Sequence, residues 1–170
     1  MPVTRSSATS RPARAPRARR AAESAEPAVH AIDSGFLQSL IGYNASRVSL
    51  AVVTVFLERM AQFDLRPVNF SVLSLIKDNP GITSRQLCAA LAMQPPNLVG
   101  MVGAFEKRGL ISRRPHPSDG RAVGLHLTDD GAALMREAEP TAVALEAEVS
   151  ARLTATERRT LMRLLQKIYL

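Results

Sequence analysis

Arg113, Arg114, His116, Asp119 and Arg121 form the densest group of chemically capable side chains in this 170-residue chain. They lie in an irregular stretch between two short apolar segments, residues 110–113 and 123–127. Guanidinium groups at this density suit phosphate, and a single arginine can enter the minor groove of a duplex. Asp119 is out of place beside phosphate on its own. Its sensible role is to brace a neighbouring arginine so that the guanidinium loses little rotamer freedom on binding. Residues 80–128 hold six basic side chains (85, 107, 108, 113, 114, 121) against Glu106 and Asp119, a local excess of four positive charges. That excess favours a polyanion-binding face over an ordinary solvated one.

The elements that position this group follow from the flanking pattern. The two apolar segments read as strands of a hairpin, and residues 95–108 upstream read as a helix closed by Gly109. Pro95 and Pro96 are tolerable only in a first helical turn, which fixes where that helix starts. Thr83-Ser84-Arg85-Gln86 has capping-box spacing and opens another helix, 84–92. The two helices are joined by a short turn and packed through Leu87, Leu91, Leu98, Val102 and Phe105. With the hairpin they read as a winged helix-turn-helix, an object that binds duplex DNA.

Within it, the exposed positions early in the second helix are Gln94, Pro95, Pro96, Asn97, Val99 and Gly100. Asn97 can pair with adenine, and Pro95, Pro96 and Val99 can pack on thymine methyls. Ser84, Arg85 and Gln86 can hold phosphates at the start of the preceding helix. The recognition half of the second helix has no arginine, so most of the affinity must come from elsewhere.

The rest of the chain is helical. Leu37, Leu40, Ile41, Val48, Val52, Val55, Phe56 and Met60 recur at helical spacing from Asp33 to about Phe63, in a helix apolar enough to be a dimerisation element. A break at Leu65-Arg66-Pro67 precedes a helix running to Asp78, and Asn79-Pro80-Gly81 is a turn. Thr128 caps a fifth helix, which Pro140 is expected to kink. Thr154-Ala155-Thr156-Glu157 opens the last, with Leu161, Leu164, Leu165 and Ile168 on one face. The expected fold class is mainly α, a winged helix-turn-helix in the order α-α-α-α-β-β-α-α. Dimerisation helices fall at 33–64 and 129–170, around a DNA-binding unit at 67–128.

Net charge is +7, and residues 1–27 supply four of it through six arginines against Glu23 and Glu26. That segment, which with two further residues makes a 1–29 tail, lacks large apolar side chains and is expected to be disordered. It either touches phosphates beyond the main site or is a solvated tail. The chain has no tryptophan and 4% aromatic residues, which argues against a single-strand or RNA binder. Its single cysteine, Cys88, excludes an internal disulfide and suits a reducing cytoplasm. No apolar run approaches a membrane span, and prolines spoil an N-terminal transit helix. Phosphate-cradling glycine loops, metal-ligand spacings and nucleophile elbows are all missing, so neither an enzyme nor a cofactor or metal is expected.

From about residue 36 to 170 the chain resembles the MarR family, the multiple-antibiotic-resistance-type regulators of bacteria and archaea. The likeness rests on 87–91, Phe105-Glu106-Lys107-Arg108-Gly109-Leu110-Ile111, Asp119-Gly120-Arg121, Leu125-His126-Leu127-Thr128, Gly131 and the last helix. It implies an obligate homodimer built from the first, fifth and sixth helices, a palindromic operator, and repression relieved by a small ligand. It also implies that Asp119 braces the wing and Arg121 is its minor-groove arginine. Gly100 departs from the pattern, since many members carry a polar or basic residue there. Pro95-Pro96-Asn97 and Gly42-Tyr43 with Arg47 look like members that control aromatic-acid catabolism.

By the same resemblance an effector would sit between the dimer helices and the DNA-binding lobe. Tyr43, Asn44, Arg47, Arg66, Asn69 and Phe70 are the candidates for holding a small aromatic carboxylate, such as a hydroxylated benzoate or nicotinate. Tyr43 and Phe70 also read as core, and Arg47 as an interface ion pair. His30 either lines this pocket or does nothing, and His126 reads as an exposed strand residue. Two alternatives remain: a sequence-tolerant architectural DNA protein, and a redox-sensing repressor using Cys88. The second is weakened by the absence of a partner cysteine and by a packing position beside Leu87.

Overall fold

The computed structural model describes residues 32–116 and 119–169, without the side chains of 116 and 119–121. The expected tail at 1–29 and His30 fall outside the described residues. A short helix α1 (Gly35–Gln38) leads into the long α2 (Ile41–Arg59), followed by a 3-10 turn at Ala61–Phe63 and by α3 (Pro67–Asp78). Next come β1 (Ile82–Thr83), α4 (Ser84–Ala90) and α5 (Pro95–Lys107). The strands β2 (Ile111–His116) and β3 (Asp119–Leu127) precede α6 (Asp129–Val149) and α7 (Ala155–Tyr169).

Three boundaries differ from the sequence reading. The first helix is not continuous from 33 to 63. It breaks at Leu40, whose backbone is extended, and the Asn44 amide donates to both Gln38 O and Leu40 O at 2.8 Å. A short polar side chain that takes up freed carbonyls makes such a break inexpensive. Asp64 then turns the chain in a left-handed conformation, φ +50°, ahead of the extended Arg66 and Pro67. The third expected helix ends at Ala90 instead of 92, and Ala92 is left-handed at φ +48°. The strands are longer than 110–113 and 123–127, and a third strand, β1, pairs with β3 through Ile82–Leu125 and Thr83–Gly124. Pro140 lies within a helix that runs unbroken from Asp129 to Val149.

The core is continuous from α2 to α6. Met60, Leu73, Ile76, Leu87, Leu98, Val102, Phe105, Leu125, Met135 and Leu145 are essentially fully buried. The sheet, in strand order β1-β3-β2, is antiparallel throughout. Its root is fixed by Thr128. The Thr128 N–H donates to Leu110 O at 3.0 Å, its hydroxyl to Gly109 O at 2.5 Å, and the same hydroxyl accepts the Gly131 N–H at 3.0 Å. One residue thus caps α6 and ties it to the base of the hairpin. Helix α7 buries no residue against the rest of the chain.

Candidate nucleic-acid interface

Helices α4 and α5 cross at 119°, joined by a four-residue connection, which is helix-turn-helix geometry. The start of α4 is set by a complete capping box. The Gln86 N–H donates to Thr83 Oγ1 at 3.3 Å, and Gln86 Oε1 accepts from the Thr83 N–H and hydroxyl at 2.9 and 2.8 Å. This commits the carboxamide oxygen of Gln86, one of the expected phosphate contacts, to the fold. Beside it Ser84 is half-buried and Arg85 exposed.

Helix α5 opens on Pro95 and Pro96 with Gln94 as its cap residue, and the Gln94 side chain makes no capping bond. Leu98, Val102 and Phe105 bury the inner face against α4 and the core. Gln94, Pro95, Pro96, Asn97, Val99 and Gly100 are all exposed, as the sequence pattern requires of a reading face, with Val99 at 63%. A Cβ on Gly100 would meet nothing within 4 Å, so packing does not require glycine there.

The basic residues divide into two sets. Arg85, Lys107 and Arg114 are exposed. Arg108, at the end of α5, donates to Phe63 O and Asp64 O at 3.0 and 3.1 Å and lies 3.4 Å from the Asp64 carboxylate. Arg113 donates from Nε to Glu106 Oε1 at 2.7 Å and from Nη2 to Oε2 at 3.1 Å. The pair holds the Glu106 carboxyl below its ordinary range and raises Arg113. Arg113, one of the residues expected to face DNA, is bound in this structure to Glu106 of the helix beside it. The side chains of His116, Asp119 and Arg121 lie outside the described residues, although the backbone places 119 and 121 on β3 and 116 on β2 at the wing tip.

The six expected ligand residues are not brought together. Arg66 and Asn69 line a cavity of about 550 Å³ with Asn97, Gly100 and Arg108. Phe70 lines another of about 640 Å³ between α2, α3, α6 and α7, stacked edge-on against Phe56 at 5.8 Å. Asn44 is occupied at the α1–α2 break, and Tyr43 and Arg47 line neither cavity. Arg158 is the cation in the larger cavity. The sequence reading missed it, because nothing in the spacing of α7 separates it from its neighbours Arg159 and Arg163. Cys88 is half-buried against the core, and His126 is half-buried on β3 beside Gly81.

The MarR family profile matches residues 65–123, the segment from the start of α3 to the wing. The transcriptional repressor CouR, solved bound to a 23-mer DNA duplex, is 35% identical, covering 82% of this chain and 99% of that one with a TM-score of 0.76. The chain belongs to the MarR family. As a MarR-family protein it is a DNA-binding transcriptional regulator and not an enzyme. It is also 29% identical over 136 residues to a regulatory protein for the hcr operon of Thauera aromatica, covering 79% of this chain and 82% of that protein. CouR has also been solved with p-coumaroyl-CoA, at 34% identity and a TM-score of 0.70 over 81% of this chain and 96% of that one. Bordetella bronchiseptica BpsR, whose DNA binding is regulated by 6-hydroxynicotinic acid, is 25% identical. It has a TM-score of 0.71, covering 77% of this chain and 94% of that one. No single helix among the described residues is long and apolar enough to cross a membrane.

Proposed function

We propose that this MarR-family regulator is a homodimeric repressor that leaves a palindromic operator when a small aromatic acid or its thioester binds. The observation that carries the dimer is α7. Leu161, Leu164, Leu165 and Ile168 form an apolar stripe that stays 37–65% exposed, and Phe36 and Ile41 near the start of α1–α2 are more exposed still. A monomer would leave this surface in water. Two copies sharing it would hold their α5 helices in successive major grooves, ~34–36 Å apart.

The effector reading moves from the six residues named by sequence to the cavity between α2, α3, α6 and α7. Phe56, Phe70, Val143 and Leu145 supply an apolar wall for a ring, and Arg158 a cation for a carboxylate. Arg66 and Asn69 remain candidates for a separate contact in the cleft against α5. The p-coumaroyl-CoA bound by CouR and the 6-hydroxynicotinic acid that regulates DNA binding by BpsR support this ligand class. A ligand lodged between the dimer helices and the DNA lobe weakens DNA binding by as much as it prefers the released spacing.

Titrating the protein on DNA upstream of its own coding region and on scrambled DNA tests the reading. Aromatic acids and acyl-CoA thioesters are added afterwards. Preferential binding that one of them reverses is the expected result. Equal, steeply salt-dependent binding to both DNAs would favour the architectural alternative.

A further inference from the structure

Glu106 lies seven residues beyond Val99 on α5, two turns along the same flank, and this flank faces β2 of the wing. A carboxylate there would repel phosphate if it stood alone. Arg113 closes on it through two hydrogen bonds of 2.7 and 3.1 Å, a fork-on-fork geometry that neutralises both groups and ties the wing strand to the reading helix. The pair is only partly shielded, with the side chains 43% and 33% exposed, so Arg113 is within reach of solvent and of any polyanion docking on α5. While Glu106 holds its Nε and Nη2, its charge is compensated and it attracts phosphate less than a released guanidinium would.

We propose that Glu106 is a specificity-determining residue, which withholds the Arg113 guanidinium from DNA phosphates and so limits sequence-independent binding. The proposal rests on α5 and the wing forming the DNA face. Non-specific affinity comes from phosphate contacts alone and needs no fixed pose of wing against helix. Operator recognition needs both elements held in one register. Releasing Arg113 therefore adds a contact to the first kind of complex while loosening the geometry of the second, and discrimination falls from both sides.

The test compares wild type, Glu106→Gln and Glu148→Gln on upstream DNA and on a scrambled duplex across a salt series. Glu148 holds Arg59 in a similar bidentate pair between α2 and α6, so its substitution changes net charge equally without freeing a wing arginine. Glu106→Gln is expected to steepen the salt slope on scrambled DNA by ~0.9 per engaged chain, or roughly three- to fourfold more affinity lost between ~50 and ~200 mM salt. Its operator affinity should stay level or fall, and Glu148→Gln should behave as wild type. An unchanged slope for Glu106→Gln, or an equal steepening by Glu148→Gln, would overturn the proposal. Melting curves recorded on both variants serve as the check that each folds. Failure of the wild type to prefer upstream DNA would instead overturn the operator reading itself.

Discussion

At the scale of single residues, Gly131 meets the closest neighbour of any described glycine. A Cβ there would sit 2.0 Å from Leu110 O, the carbonyl that accepts the Thr128 N–H. Neither partner is a flexible side chain, so the backbone at the wing root would have to shift. Gly131→Ala is expected to destabilise the fold by roughly 1–3 kcal/mol, the range of overpacked interiors, read as a lower midpoint in urea. The charged pairs make a different kind of prediction. The folded-state pKa of Glu106 lies below its ordinary value of 4.5, chiefly through its hydrogen bonds to Arg113. The stability this contributes is therefore present above that ordinary value and is lost as pH falls through the lowered one. Wild type should melt above Glu106→Gln at neutral pH, with the gap closing as pH falls below the ordinary carboxylate range in parallel thermal scans. A gap independent of pH would mean that the glutamate acts through packing.

Residue type and charge density pointed to Arg113 and Gln86 as DNA contacts, and each proves to be held by a neighbour. Gln86 was also legible as a capping residue, because a box is a local, three-residue relation. The Arg113–Glu106 pair joins a helix to a strand, and no spacing rule along the chain brings those two positions together.

At the scale of elements, starts were easier to read than ends. The capping boxes at Thr83 and Thr154, the Pro95-Pro96 opening and the Thr128 cap all lie where the sequence places them. Each depends on a side-chain-to-backbone bond or a missing N–H that only a helix start accommodates. The α1–α2 break escaped notice because apolar periodicity runs across it, and the break depends on Asn44 reaching back to Gln38 and Leu40. Strand β1 is two residues long, too short for alternation to register. Helix α5 offers a test of its own. Gly100 and Gly103 weaken it, yet neither position is crowded. Gly100→Ala should therefore stabilise the protein by about 0.5–1 kcal/mol in urea unfolding. If it also weakens operator binding, the missing Cβ lets the helix approach the bases. If binding is unchanged or improves, glycine has no role on the DNA face.

At the scale of the whole molecule, the winged helix-turn-helix was legible because its core, turns and caps are all local or periodic signals that agree. The cavity proposed for an effector was not, since its walls come from four helices far apart in sequence and its cation from the last of them. The surface left over leads to the remaining prediction. Burying a leucine fully contributes about 1.5–3 kcal/mol, and in a two-fold interface each substitution counts twice. Leu164, 48% exposed, lies mid-way along the α7 stripe and is not among the buried core residues. If α7 carries the proposed dimer, Leu164→Glu should leave the melting of an isolated chain almost untouched while shifting the protein towards monomer in sedimentation velocity. Operator affinity should fall in step, because two half-sites bound by separate chains lose the advantage of linkage. Dimers formed equally by wild type and Leu164→Glu would remove α7 from the proposed interface and leave the exposed face of α1 and α2 to form it.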